Sequence, residues 1–175
     1  SRKMCIVSDT NVAPLYADSL KSALSSVASS ISLFVFEAGE KSKHLHTVQN
    51  LYEKLIESEL DRKSLIVALG GGVVGDLAGF SAATYLRGID FIQVPTTLLA
   101  QVDSSVGGKT GVDFSQYKNM VGAFHQPRLV YMNLQTLKSL PDTQFACGMG
   151  EVLKTGLICD GDFYHFVCEH QKTIQ

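Results

Sequence analysis

The chain has 175 residues, 45% of them hydrophobic, and a formal charge of −2. That length suits one ordinary domain, or one domain and part of another, with apolar residues enough for a proper core. The charge balance offers no basic surface for nucleic acid or an anionic membrane, and the apolar runs are too short to span a bilayer. Met4 has no apolar signal region behind it, so no secretory address is expected. Cys5, Cys147, Cys159 and Cys168 show no C-x-x-C spacing and read as reduced thiols of a cytoplasmic protein, with Cys5 packed as a small apolar residue.

Residues 4–8 (MCIVS) read as a first strand. Asp9, Thr10 and Asn11 follow at its carboxyl end, the side on which an open parallel sheet binds ligands. Asp9 and Asn11 suit equally well a plain capping role for the helix that Pro14 opens. That helix is expected over 15–28, with Leu15, Leu20 and Leu24 toward the sheet. Residues 31–36 form a second strand, and the polar turn 38–43 reads, on composition alone, as a solvated loop. Residues 45–58 make an amphipathic helix with Val48, Leu51, Tyr52, Leu55 and Ile56 on one stripe, and His44 and His46 at the surface.

The next stretch, LIVALGGGVVGD (65–76), organises the chain. An apolar strand over 65–69 runs into three glycines and then a helix of small residues over 77–84. Gly70, Gly72 and Gly75 fit G-x-G-x-x-G. Glycine lets main-chain N–H groups approach a diphosphate, and the helix N-terminus offers it partial positive charge. A dinucleotide fold wants an acid at the end of the following strand, but Asp90 precedes the strand 91–94, so a variant geometry is expected. Gly108-Lys109-Thr110 imitates the end of a P-loop, yet the position five before Gly108 is Asp103 where a glycine is required.

After Pro95 polar and apolar residues intermingle from Thr96 to Phe124, and the stretch reads as a long loop whose lysines and glycines suit an anionic ligand. A further strand is expected at 129–132, a short helix or turn at 133–140, and helices at 144–158 and 162–170. The alternation defines an α/β class: a Rossmann-like parallel sheet flanked by helices over 1–141, followed by the beginning of an all-helical second domain over 142–175. Glu151 and Lys154 share a helix face, as an exposed ion pair or as a metal ligand beside an anion-binding lysine; Cys147 reads as core.

The strings GGGVVGDLAGF (70–80), RGIDFIQVPTTLLAQVDSSVGGKTGV (87–112), KNMVGAF (118–124) and LPDTQFACGMGEVLKTGLI (140–158) closely resemble the 3-dehydroquinate synthase family. The resemblance implies an enzyme of the shikimate pathway of aromatic amino acid biosynthesis. It converts DAHP, a phosphorylated seven-carbon keto acid, to 3-dehydroquinate and phosphate by transient oxidation with NAD, elimination, reduction and intramolecular aldol closure. It also implies a divalent metal, usually zinc with cobalt as an alternative, to stabilise the alkoxide, and a homodimer. In this sequence the NAD diphosphate would lie on Gly71, Gly72 and Val73, with Val74, Gly75 and Asp76 close by. Asp9, Asn11, Glu40 and Lys43 would serve the adenosine side, and Thr96, Thr97, Thr136, Leu137, Lys138 and Ser139 would touch the cofactor. Lys118 and Asn119 would sit between cofactor and substrate. Asp103, Lys109 and Lys154 would bind substrate, and Arg87 would reach its phosphate from a neighbouring subunit. Glu151 would be the metal's carboxylate ligand.

The chain departs from the family at Gly150, where Ala is commoner, and at Asp113, where Asn is commoner. It stops at Gln175, short of two further metal-binding histidines whose motif positions His165 and His170 do not occupy, so these residues alone are expected to bind NAD weakly or in part and not to turn over. A metal-dependent polyol or alcohol dehydrogenase, another sugar-phosphate cyclase and a non-enzymatic nucleotide-binding module are the alternatives. Lys109, Lys118 and Lys154 favour the phosphorylated acidic substrate.

Overall fold

Strand β1 (Arg2–Asp9) sends alternate side chains to opposite faces, and the layers of the molecule follow from that alternation. In this computed structural model, which describes residues 1–171, 173 and 174, Cys5 and Val7 enter one core while Met4 and Ile6 enter another. Strands β2 (Ala28–Phe36), β3 (Leu65–Gly70) and β4 (Asp90–Pro95) join β1 in one parallel sheet of order β2-β1-β3-β4. Helix α1 (Ala13–Leu24) covers the Met4 and Ile6 face. Helices α2 (Leu45–Glu57) and α3 (Gly72–Thr84) cover the other, where Leu51, Leu55, Ile66, Leu77 and Phe91 are fully buried. The strand order reverses direction at β1, so the carboxyl ends of β1 and β3 flank a topological switch point, where such sheets bind ligands.

Helix α3 shows no apolar stripe because it is buried on most sides. The sheet lies beneath it, and an antiparallel hairpin of β5 (Lys109–Phe114) and β6 (Tyr117–Phe124) lies over it. A Cβ at Gly79 would stand 2.5 Å from Thr110 Cγ2 and 3.1 Å from the Phe91 ring, so this glycine sets how closely the hairpin packs. Between β4 and β5 the chain makes a π-helical turn at Ala100–Ser104. Helix α4 (Asp142–Cys159) docks against the residues before that turn through Gly148, where a Cβ would meet Leu98 Cβ at 2.6 Å, and α5 (Gly161–Glu169) packs back on α4. Among the described residues no helix is long and apolar enough to cross a membrane.

The structure corrects several expectations. Helix α1 runs over Ala13–Leu24, and in that phase Ala17, Leu20 and Leu24 face the sheet while Leu15 is exposed. Ile56 is likewise exposed, because Val48, Leu51, Tyr52 and Leu55 already complete the α2 contact. The stretch after Pro95 is no loop but the π turn and the hairpin, whose main-chain groups pair with each other. The strand expected at 129–132 shrinks to one bridge between Val130 and Gln93, and Leu129, Tyr131 and Met132 are exposed. Cys147 is exposed, since Gly148 makes the close contact of α4. Cys5 is buried as expected, and burial pushes its thiol above the ordinary range.

Candidate functional site

The site grows from the junction of β3 and α3. Gly71 precedes α3 in an extended conformation and no side chain caps the helix, so its first amides are left for a ligand. Ordinary side chains would narrow this approach: a Cβ on Gly71 would meet Thr97 Cγ2 at 3.1 Å, and one on Gly72 would meet Ser104 Oγ at 3.1 Å. Asp9, at the end of β1, accepts from the Asn11 and Val12 amides at 2.9 Å each, so its carboxylate shapes the entry to α1 while lining the crevice. The N-cap position itself is Val12, which offers no side-chain bond, so Asp9 braces the turn before α1 and is not its cap.

A cleft of about 930 Å³ opens here. Asp9, Asn11, Glu40, Lys43, Gly71, Gly72, Val73, Asp76, Thr96, Thr97, Asp103, Asn119 and Ser139 all line it. A neighbouring cavity of about 530 Å³, over the hairpin, is lined by Lys109 and Ser104 and shares Asp76, Asp103 and Asn119 with the cleft. The π turn carries Asp103 to that shared wall. The size of the cleft is in the range of cofactor sites.

Two buried polar groups stand in the wall of the cleft. Thr96 is 4% exposed, and its Oγ1 has no hydrogen-bond partner. A buried hydroxyl is normally satisfied, so Thr96 Oγ1, with Ser105 Oγ, is an exception among the described residues. Lys43 is also buried, and its ammonium donates to Asn119 Oδ1 at 2.6 Å and pairs with Asp76 Oδ2 at 2.6 Å. Burial pushes the Asp76 carboxyl above its usual range; Lys43 opposes the shift, and the charges of Glu40 and Asp103 add to it.

Other expected residues lie elsewhere. Val74 is fully buried in the core and Gly75 lies against the Gln93 side chain, so neither lines the cleft. Thr136 is buried and accepts from Gln101 Nε2 at 3.3 Å, whereas Lys138 is exposed; of the segment 136–139, only Ser139 reaches the cleft. Leu137 is half-buried and lines neither space. Lys118 is exposed, lines neither space, and pairs at 3.3 Å with Glu40, which lines the cleft. Lys154 on α4 is exposed and pairs with the half-buried Glu151; that bond, with the charge of Asp103, holds the lysine above its usual range. Arg87 follows the far end of α3 with φ 69°, away from both spaces. A Cβ at Gly150 would meet nothing within 4 Å, so the departure there leaves open space. Asp90 lies at the start of β4, held by Arg2 at 2.9 Å and Arg128 at 2.8 Å, at the opposite end of the strand from the cleft.

Sequence reasoning missed Tyr16, Pro141, Thr143 and Gln144, which also line the cleft. The Tyr16 hydroxyl donates to the Thr136 carbonyl at 3.4 Å and ties α1 to the short helical turn Leu134–Ser139. An aromatic one turn into an amphipathic helix is ordinarily core, so no local signal set it apart.

An open doubly wound sheet with uncapped, glycine-flanked amides at its switch point defines an α/β protein of the nucleotide-binding class. The family model described as 3-dehydroquinate synthase N-terminal matches residues 33–147. The 3-dehydroquinate synthase of Symbiobacterium thermophilum is 56% identical over 167 residues, which is 95% of this chain and 47% of that protein. A solved 2-epi-5-epi-valiolone synthase from Streptomyces hygroscopicus subsp. jinggangensis 5008, with NAD+ and Zn2+ bound, superposes with a TM-score of 0.91 at 30% identity, over 98% of this chain and 48% of that one. A 2-deoxy-scyllo-inosose synthase complexed with carbaglucose-6-phosphate, NAD+ and Co2+ superposes with a TM-score of 0.85 at 35% identity, over 89% of this chain and 43% of that one. The chain belongs to the 3-dehydroquinate synthase family and spans about half the length of these relatives.

Proposed function

We propose that this chain supplies the nucleotide-binding part of a 3-dehydroquinate synthase acting on DAHP with NAD. The observation that carries the reading is the shared wall: Asp76, Asp103 and Asn119 line both the large cleft and the smaller cavity, so a nucleotide and a second ligand would meet there. The residues present fit NAD. The free amides of Gly72 and Val73 would take its diphosphate, and the unpaired Thr96 hydroxyl would gain its missing partner. Asp9, Asn11, Glu40 and Lys43 all line the cleft; the first three would serve the adenosine half, and Lys43, bonded to Asp76 and Asn119, would stand between that half and the shared wall. Bound NAD+ supplies a hydride acceptor for a secondary alcohol and returns the hydride later. Lys109 lines the smaller cavity and would bind a carboxylate or phosphate there. Lys118 and Lys154, each holding a carboxylate now, would exchange it for the substrate's anionic groups.

The described residues do not complete a metal site. Among them no three His, Cys, Asp or Glu side chains are grouped to hold an ion, whereas catalytic zinc takes three protein ligands. Glu151 would contribute one ligand in the whole protein. We read residues 142–175 as the start of a second, helical domain, the working protein as a cytoplasmic homodimer, and Arg87 as serving the partner's site. Four unpaired cysteines support the reducing compartment, and the remoteness of Arg87 from its own cleft supports the partner role.

The test is phosphate release from DAHP by the whole protein, with NADH followed in parallel. Phosphate release without net NADH is expected. NADH accumulation without phosphate release would replace this reading with a polyol or alcohol dehydrogenase.

A further inference from the structure

We propose that Asp113 is a positioning residue that sets Lys43 and Asn119 at the shared wall. The inference rests on the nucleotide reading of the cleft for its functional consequence, but its geometry stands alone. Asp113 sits where the hairpin register breaks: Val112 pairs with Val121 and Phe114 with Tyr117, which leaves Asp113 outside the β5–β6 ladder. A bulge of this kind re-aims a residue's main chain and side chain. Here it frees the Asp113 N–H to donate to the Lys43 carbonyl at 2.8 Å, across a bridge between His44 and Asp113. The Asp113 carboxylate turns the other way and accepts from the Asn119 amide at 2.7 Å.

That second bond supports Asn119 in a left-handed backbone conformation with φ 53°, which asparagine adopts more readily than most residues. In that conformation Asn119 Oδ1 accepts from Lys43 Nζ at 2.6 Å, and Lys43 Nζ reaches Asp76. The bonds close a ring from the Lys43 main chain through Asp113 and Asn119 to the Lys43 side chain. One residue thus fixes both ends of Lys43 and the orientation of Asn119, while touching neither cavity itself. What the ring requires at position 113 is an acceptor oxygen, so Asn can replace Asp whereas Ala cannot.

The experiment compares the parent chain with D113A and D113N by NAD+ titration and by amide hydrogen exchange at Asn119. D113A is expected to weaken NAD+ about fivefold, the factor for one lost hydrogen bond, and to speed Asn119 exchange about as much. D113N is expected to stay within about twofold of the parent in both. Parent-like behaviour of D113A overturns the proposal. So does a D113N that fails as badly as D113A, because charge rather than geometry would then be acting. If the parent takes up no NAD+, the nucleotide reading fails, and the exchange arm alone decides the role of Asp113. If D113A does not fold, unchanged exchange in D113N supports the proposal and accelerated exchange overturns it.

Discussion

Lys43 Nζ lies 2.6 Å from Asp76 Oδ2, and the lysine side chain is only 5% exposed. The ammonium is therefore cut off from water and neutralised by one carboxylate on α3. A buried pair of this kind adds little net stability, but breaking it leaves an uncompensated charge. Asp76→Ala is expected to cost about 3 kcal/mol in urea unfolding at neutral pH. Adding Lys43→Met should restore most of that loss, which a double-mutant cycle will read as strong coupling.

Stability at the opposite end of the sheet depends on pH. Arg128 and Arg2 hydrogen-bond Asp90 and hold its carboxyl below the usual range. A folded value depressed below the unfolded one gives stability that is present above the ordinary carboxylate range and is lost as pH falls through the folded value. Asp90→Asn should therefore cost about 1 kcal/mol near neutral pH, the scale of partly exposed pairs, and nothing once the parent's carboxylate is protonated. Denaturation midpoints of the two proteins, followed downward in pH, should converge.

Neighbouring glycines should separate folding from binding. A Cβ at Gly70 would stand 2.5 Å from Val74 Cγ2, inside the core, whereas one at Gly71 would meet only Thr97 at 3.1 Å on the cleft side. Gly70→Ala is expected to destabilise by about 2 kcal/mol through overpacking. Gly71→Val should fold and instead lose about tenfold or more in NAD+ affinity, since it fills the approach to the helix amides. Thermal melts and titrations on both variants check the contrast.

Thr96→Val should move stability and affinity in opposite directions. The hydroxyl is buried and unpaired, so an isosteric methyl relieves about 1 kcal/mol in the free chain. On the proposed reading the same change also removes a bond to the nucleotide and should weaken NAD+ several-fold, to be read by unfolding and titration together.

The sheet was legible because strands such as residues 65–69 are short apolar runs bounded by turns, and α2 carries a clean apolar stripe. The glycine turn and the residues at the strand ends also declared themselves, since Asp9, Gly71, Gly72 and Thr96 occupy positions that the topology forces to one edge. The hairpin was not legible. Its strands mix Gly, Thr, Asp, Lys and Asn with valines because one face covers α3 and the other lines a cavity, which erases simple alternation. The π turn has no local signature, and Cys147 and Leu15 were misplaced by small errors of helical phase. The pairing of Lys43 with Asp76 spans elements far apart in sequence, and neither residue's neighbours announce it.

The most direct measurement is calorimetric titration of the folded 175-residue chain with NAD+, repeated with zinc present and with the Gly71→Val variant. One saturable site is expected, little changed by zinc and lost in the variant. A folded parent chain that gives no heat and shows no change in amide exchange at Gly71–Val73 on adding NAD+ would contradict the account.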